Sequence, residues 1–458
     1  MSYSDYIDGK LDSLAPSGLD CEPDYPGMFP HQIDLTRWAL RRGRAAIFAD
    51  TGLGKSRIQV AWADTINRET GLDVLILCPL AVAAQTVHES ESLGVTITHC
   101  KEGADVRDGI NIANYERLHK FDASRFGAVV LDESSCIKHH DTKTLKALID
   151  AFEDTPYKLC ATATPAPNDW TELGTHAEFL GVRSRVEMLS EFFVHDGAET
   201  QVWRLKGHAR KAFWQWVSSW GAMVRRPSDL GHDDSAYNLP PLSVTQHVVD
   251  SPENATGMLF AMEAQTLMER RDARRESIAE RVMACAHMVN DDLQPWIVWC
   301  DLNAEGDALR SAIPGSVEIR GADSLEEKER RLSDFAEGRT RVLITKPSIA
   351  GFGLNWQHCA RMAFVGVTDS FEAYYQAVRR CWRFGQSRPV EVHIFASERE
   401  GAVVANLKRK EHDAVAMADA LSQETLASVR ANVLGTKRES NPYIPAARIV
   451  VPDFLRAA

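Results

Sequence analysis

The stretch RAAIFADTGLGKSRIQVAWADTI, residues 44–66, decides the fold. It opens with an apolar run, 45–49, that reads as a buried strand. It then passes through the turn DTGLGKS and continues in a pattern that turns Ile58, Val60 and Ala61 inward on a helix. Strand, glycine turn and helix in that order let backbone N–H groups curl round phosphate oxygens at a helix N-terminus. Asp50, Thr51, Gly52, Leu53, Gly54, Lys55 and Ser56 are then the nucleotide-binding set. Gly52 and Gly54 permit close backbone approach, the Lys55 ammonium reaches the β- and γ-phosphates, and the Ser56 hydroxyl is a ligand for Mg²⁺. One position departs from the pattern GxxxxGK[ST], because Ala49 stands where its first glycine belongs. The plain alternative is a glycine turn that merely starts a helix, so a second element is required.

FGAVVLDESSCIK, residues 126–138, supplies it. Its apolar run 128–131 reads as a buried parallel strand that ends on Asp132 and Glu133. In open α/β sheets, ligands bind at the carboxyl ends of strands. There Asp132 could hold Mg²⁺ through water while Glu133 orients and deprotonates the attacking water. An acidic pair after a strand is more often a helix cap or a solvated loop, and its pairing with the phosphate loop reverses that reading. DVLILCPLAVAAQTVHE (73–89), GINIANYERL (109–118) and YKLCATATPAPND (157–169) each begin as further strands. Alternating strands and helices predict a doubly wound, parallel α/β sheet.

Composition bounds the remaining possibilities. The chain has 458 residues, a formal net charge of −12, 44% hydrophobic and 25% charged residues, values that fit a globular protein of more than one domain. No run reaches the roughly 18 apolar residues of a membrane span, and the first residues carry no basic start or apolar segment, so the expected location is the cytoplasm. Nine scattered cysteines without a CxxC pair point to neither a zinc site nor a disulfide framework. The acidic balance excludes a protein coated in basic charge but leaves local nucleic-acid patches open.

The ordered set ADTGLGKS, LDESS, TATP, GFGLNW and QAVRRCWRFGQ resembles motifs I, II, III, V and VI of superfamily 2 helicases and translocases. The last of these, at 376–386, together with MVRRPSDLGHDDSAYNLPPL at 223–242, resembles the Swi/Snf-like branch. DESS, WIVWCDLN and the chain's size resemble the compact ATPases of bacteriophages and prophages, whose setting would be the host cytoplasm. The resemblance implies two RecA-like lobes with ATP and Mg²⁺ in the cleft between them. It also implies DNA as partner, duplex or forked rather than RNA, and replication or recombination proteins as further partners. Carried across by position, Gln32 in FPHQIDLTRWAL would contact adenine, and Thr162 and Thr164 would couple the ATP state to nucleic acid. Gly353 and Asn355 would lie near ATP and the nucleic-acid backbone, Gln376 would join the nucleotide-binding residues, and Arg380 and Arg383 of the same motif would stabilise the γ-phosphate. An acidic protein would then collect arginines at 379–383 because a guanidinium entering from the second lobe works only when the cleft is shut. For Arg379 the bland reading is a solvated helix charge.

The expected domain layout follows. Residues 1–24 form an extension, 25–230 the first lobe with a basic and aromatic helical insertion near 185–228, and 231–290 a hinge and helical segment. Residues 291–400 form the second lobe and 401–458 a C-terminal extension. Within the insertion, Arg204, Lys206, Arg210, Lys211, Arg225 and Arg226 sit among tryptophans in an acid-free stretch, 201–228, which suits a surface that tracks a nucleic-acid backbone. Phe213, Trp216, Val217 and Trp220 recur at helical spacing, which favours a core stripe for the aromatics. The arginines at 270, 271, 274 and 275, mixed with acids, read as a solvated face, and His139 and His140 as surface residues. Two other functions compete with a motor that hydrolyses ATP. A small-molecule kinase would use the same loop but has no need of a paired-arginine motif, and a nucleic-acid clamp that binds ATP without turning it over has no need of Lys55, Asp132, Glu133 and Arg383 together.

Overall fold

The computed structural model describes residues 17–79, 82–137, 142–166, 169–196, 199–249, 272, 274–350, 355–366, 370–397, 409 and 425–434. The central strands of its two sheets are near-continuous apolar runs, as strands covered on both faces must be. In chain order the strands are β1 (Arg44–Ala49), β2 (Val74–Cys78), β3 (Ile97–His99), β4 (Ile110–Asn114), β5 (Ala128–Asp132) and β6 (Tyr157–Thr162). There follow a separate antiparallel hairpin, β7 (Phe193–Asp196) with β8 (Glu199–Leu205), and then β9 (Gly221–Val224). The first sheet has the order β3-β4-β2-β5-β6-β1-β9 and is parallel throughout. The second lobe repeats the plan with β10 (Leu242–Val249), β11 (Trp296–Trp299), β12 (Val317–Glu318), β13 (Val342–Thr345), β14 (Arg361–Phe364) and β15 (Val390–Ser397). Its order is β10-β15-β14-β11-β13-β12, again all parallel.

Parallel neighbours need crossovers, and helices supply them. The first lobe has α1 (Pro30–Arg42) ahead of β1, and then α2 (Lys55–Thr70), α3 (Val82–Glu91), α4 (Lys143–Ala151), α5 (Leu173–Phe179), α6 (Arg185–Phe192) and α7 (Arg210–Trp220). The second lobe has α8 (Ile278–Asp291), α9 (Asn303–Ala312), α10 (Leu325–Ala336) and α11 (Phe371–Val378). Successive strand residues point to opposite faces, so β1 divides its side chains between two cores. Ala45, Ile47 and Ala49 pack with Trp38 of α1 and Trp62 of α2, whereas Ala46 and Phe48 pack with Phe179, Trp216 and Trp220. The second sheet is divided likewise, with Ile297 and Trp299 on one face against Trp356 and Trp296 and Val298 on the other against α8 and α9. Helices on both faces of two parallel sheets make two RecA-like α/β lobes in tandem.

The aromatic spacing of residues 213–220 is a core stripe, for Phe213, Trp214, Trp216, Val217 and Trp220 are all buried on the first sheet. One surface reading is corrected. Arg274 is buried and forms a 2.6 Å ion pair with Asp301, because its guanidinium turns into the second lobe where a carboxylate awaits it. Its neighbour Arg275 is exposed, and residues 270 and 271 fall outside the described residues, as do His139, His140 and the part of the helical segment from 254 to 271. Beyond the last motif, residues 425–433 are helical and return to the first lobe. Val429 and Val433 enter its core, and the Arg430 guanidinium donates to the carbonyls of Ser228 and Asp229. Among the described residues, no helix is long and apolar enough to cross a membrane.

Candidate nucleotide site between the lobes

Strand register assembles the site. Phe48 of β1 pairs with Thr162 of β6, and Asp132 of β5 pairs with Ala161 of β6. The phosphate loop, the paired acids and Thr162 therefore share the carboxyl edge of three adjacent strands. A cleft of about 540 Å³ opens there, lined from the first lobe by Gln32, Lys55, Asp132 and Glu133 and from the second by Asn355, Arg380 and Arg383.

The loop owes its shape to two glycines. Gly52 has φ of 94° and Gly54 has φ of 81°, both in the region that side chains rarely adopt. A Cβ at Gly54 would collide with the Gln32 amide, and one at Gly52 would lie 3.1 Å from Cβ of Phe384 in the second lobe. Lys55 begins α2, and its ammonium donates to the carbonyls of Ala49 at 2.9 Å and Asp50 at 3.4 Å. Burial pulls the Lys55 pKa down, opposed by Glu133, Asp50 and Asp132. Thr51, Gly52, Gly54 and Ser56 line the cleft, whereas the Leu53 side chain is buried and its carbonyl accepts from Nε2 of Gln32 at 3.1 Å. Gln32 also accepts the Phe29 N–H at 3.0 Å, so its amide is held from both ends.

The acids are held as firmly. Gln59 donates to Oδ1 of Asp132 at 2.7 Å, and the Tyr115 hydroxyl donates to the Asp132 carbonyl at 2.8 Å. Glu133 has φ of 50°, the one positive value among the described non-glycine residues. Such a backbone costs about 1–3 kcal/mol and persists only where its surroundings enforce it. The next residue, Ser134, is fully buried and shares a 3.1 Å hydrogen bond with Nε2 of His176, itself fully buried on α5. Thr162 donates to Oε2 of Glu133 at 3.4 Å. Burial lowers the His176 pKa to about 4, so the ring is neutral near pH 7. His176→Leu should lower turnover by roughly ten- to a hundred-fold through a shifted Glu133, with a stability loss of about 1–3 kcal/mol from the stranded Ser134 hydroxyl. Steady-state kinetics beside urea unfolding separates the two effects.

Burial, then Glu133, raises Asp132 to about 6. A buried carboxylate pushed toward protonation is a fitting partner for a hard cation, and Ser56 adds an oxygen donor on the same cleft wall. Binding a cation requires the ionised form, so Mg²⁺–nucleotide affinity should fall as pH drops through about 6 and level off only well above it. Calorimetric titrations between pH 5 and pH 8 read this directly. With Asp132 raised from 3.8, the folded protein without metal carries the extra proton between pH 3.8 and 6. This group's stabilisation is therefore present below that window and lost as pH rises through it.

From the second lobe, Arg380 is buried, and its guanidinium donates to the carbonyl of Gln376 at 3.1 Å and to its side-chain oxygen at 3.0 Å. Gln376 in turn donates to Oγ1 of Thr164 at 3.3 Å, across the cleft. Burial lowers Arg380, and Glu133 and Asp132 oppose it, which places this guanidinium in the field of the paired acids. Burial and then Arg380 lower Arg383 to about 10, with Glu89 and Glu133 opposing, so it stays cationic near pH 7. Arg379 is no solvated charge. Only 13% of its side chain is exposed, and it stacks over Tyr375 and Trp382 at 5.1 and 4.6 Å, 3.7 Å from Asp50. Asn355 crosses to α3, its N–H donating to Gln85 and its side-chain amide to Glu89, both at 3.1 Å. Gly353 lies outside the described residues.

The basic stretch is dispersed by comparison. Arg204, Arg210, Lys211 and Arg226 are exposed and Arg225 is half-buried. Half-buried Lys206 spends its ammonium on the carbonyls of Ser190 and Glu191, where it caps the end of α6. Arg226 stands 3.7 Å from Asp229. Sequence reading missed Gln59, Tyr115, His176, Tyr375 and Glu89; a polar residue in an apolar setting marks Gln59 alone, in IQVAW.

Two family models match the chain, an SNF2-related domain over residues 31–215 and a helicase conserved C-terminal domain over residues 300–385. A curated relative, the SWI/SNF-related matrix-associated actin-dependent regulator of chromatin subfamily A-like protein 1 of Xenopus laevis, is 29% identical over 163 residues. That match takes in 32% of this chain and spans 16% of the relative. Among solved structures, the Sulfolobus solfataricus SWI2/SNF2 ATPase core in complex with dsDNA covers 91% of this chain and 99% of its own, with 17% identity and a TM-score of 0.43. The protein thus carries an SNF2-related domain and a helicase conserved C-terminal domain in tandem, each forming one wall of the cleft, a pairing that supports the Swi/Snf-like branch of the superfamily 2 helicases and translocases.

Proposed function

We propose that the protein hydrolyses ATP as the two lobes close and uses the cycle to move along duplex DNA. The observation that carries this is the single cleft in which Lys55, Asp132 and Glu133 of one lobe face Arg380 and Arg383 of the other. Lys55 and the loop amides would hold the phosphates, and Glu133 would orient the attacking water and take its proton. Arg380 and Arg383 would stabilise charge on the γ-phosphate once the cleft is shut. Mg²⁺, held by Ser56 and by Asp132 through water, would neutralise phosphate charge. Thr164 and Gln376, hydrogen-bonded across the cleft, would pass the nucleotide state from one lobe to the other. Exposed Arg204, Arg210, Lys211 and Arg226 offer phosphate contacts beyond the cleft.

Duplex tracking without obligatory strand separation is tested by displacement of a triplex-forming strand from duplex DNA. ATP-dependent displacement, absent in Lys55→Ala, supports movement along the duplex. DNA-stimulated hydrolysis without displacement would restrict the protein to local remodelling.

A further inference from the structure

Phosphate-loop residue Asp50 is engaged by the second lobe. Its Oδ1 accepts the Thr51 N–H at 2.6 Å and the Tyr375 hydroxyl at 2.9 Å, while the Arg379 guanidinium stands 3.7 Å from Oδ2. Tyr375 lies on α11, and Arg379 caps the same helix. Arg379 is set by its neighbours, between the Tyr375 and Trp382 rings, and Trp382 is anchored in turn, its indole N–H donating to the Pro240 carbonyl in the interlobe connector at 2.7 Å. The connector, the last motif of the second lobe and the phosphate loop thus form one chain of contacts that ends on a single carboxylate.

We propose that Tyr375 and Arg379 form a positioning clamp on Asp50, so that the shape the phosphate loop takes for turnover is set by closure of the second lobe. Two features of the loop give the clamp its effect. By accepting the Thr51 N–H, the Asp50 carboxylate withdraws that amide from the cleft and fixes where the following N–H groups point. The Asp50 carbonyl is also one of the two that receive the Lys55 ammonium, so a displaced Asp50 alters the position from which Lys55 meets the phosphates. Arg379 therefore differs in task from Arg380 and Arg383, because it acts on the protein loop and they face the cleft. The clamp's effect on turnover rests on the ATPase reading, whereas its effect on the loop does not.

Hydrogen exchange of peptides spanning residues 44–58 is measured on the nucleotide-free full chain, alongside ATP turnover and ADP binding. Tyr375→Phe keeps the ring and removes only the hydroxyl. It should speed exchange at the loop amides by about five-fold or more, since a local tether is lost while the core stays folded. It should also lower kcat about ten-fold with ADP affinity within about two-fold, the signature of an interaction used on closure rather than on binding. Arg379→Gln should give the same loop phenotype, and Asp50→Asn combined with Tyr375→Phe should be no worse than the poorer single variant, as members of one contact behave. Unchanged exchange in Tyr375→Phe, or fully additive effects in the double variant, would overturn the clamp. If the wild-type protein shows no turnover with any DNA, the functional reading fails and the exchange result still decides the clamp.

Discussion

Arg383→Ala should lower DNA-stimulated turnover by about 10³- to 10⁵-fold and leave nucleotide binding within a few-fold, as removal of an arginine finger does in phosphoryl-transfer enzymes. The asymmetry follows from the cleft. On the proposed reading the loop and Lys55, all on the first lobe, would hold the phosphates, whereas Arg383 lines the cleft from the second. Its cost is met in binding and its benefit arises only when charge moves onto the γ-phosphate. Burial lowers its pKa to about 10, which still leaves the guanidinium charged throughout the range in which the protein would work. Arg383→Lys should not restore the rate, because an ammonium lacks the planar fork that spans two phosphate oxygens. Equilibrium binding of a fluorescent ADP beside single-turnover hydrolysis separates the two quantities. Equal losses in both would place Arg383 in ground-state binding.

Glu133→Gln should be nearly as damaging by a different route. The variant keeps shape and hydrogen-bonding reach but cannot take a proton, so hydrolysis should fall by about 10²- to 10⁴-fold, the usual contribution of general-base catalysis. ATP should still bind, since Lys55 and the loop amides are untouched. The protein would then accumulate in a closed, ATP-bound state, and its DNA affinity with ATP should exceed that of the wild type under turnover. Filter binding with ATP or ADP checks this. A Glu133→Gln variant with unimpaired turnover would remove Glu133 from the chemistry.

The parts of this site legible in the sequence are those whose meaning is local. DTGLGKS and LDESS each place several functional groups within a few residues, and the apolar runs before them give away the strands that carry them. The alternation of such runs likewise announced two parallel sheets, because crossovers between parallel strands leave a helix-length pattern between apolar segments. What could not be read is whatever one segment does for another. Gln59 meets Asp132 from 73 residues away, and Tyr375 meets Asp50 from 325. Nothing near His176 in ELGTHAEFL marks it as the partner of Ser134, since its role exists only once α5 packs beside the end of β5. Arg379 shows the same limit from the other side. As one of three arginines in eleven residues it leaves a solvated helix charge open as the alternative, and only the Tyr375 and Trp382 rings and the approach of Asp50 give it a buried place.

The central claim is that ATP turnover belongs to this cleft and is driven by DNA. Its most direct test is steady-state ATP hydrolysis by the purified protein, alone and with single-stranded DNA, duplex DNA, forked DNA or RNA, with Lys55→Ala as control. The account predicts low basal turnover, strong stimulation by duplex or forked DNA, and loss of both in the variant. Turnover indifferent to every nucleic acid, or undiminished in Lys55→Ala, would contradict it.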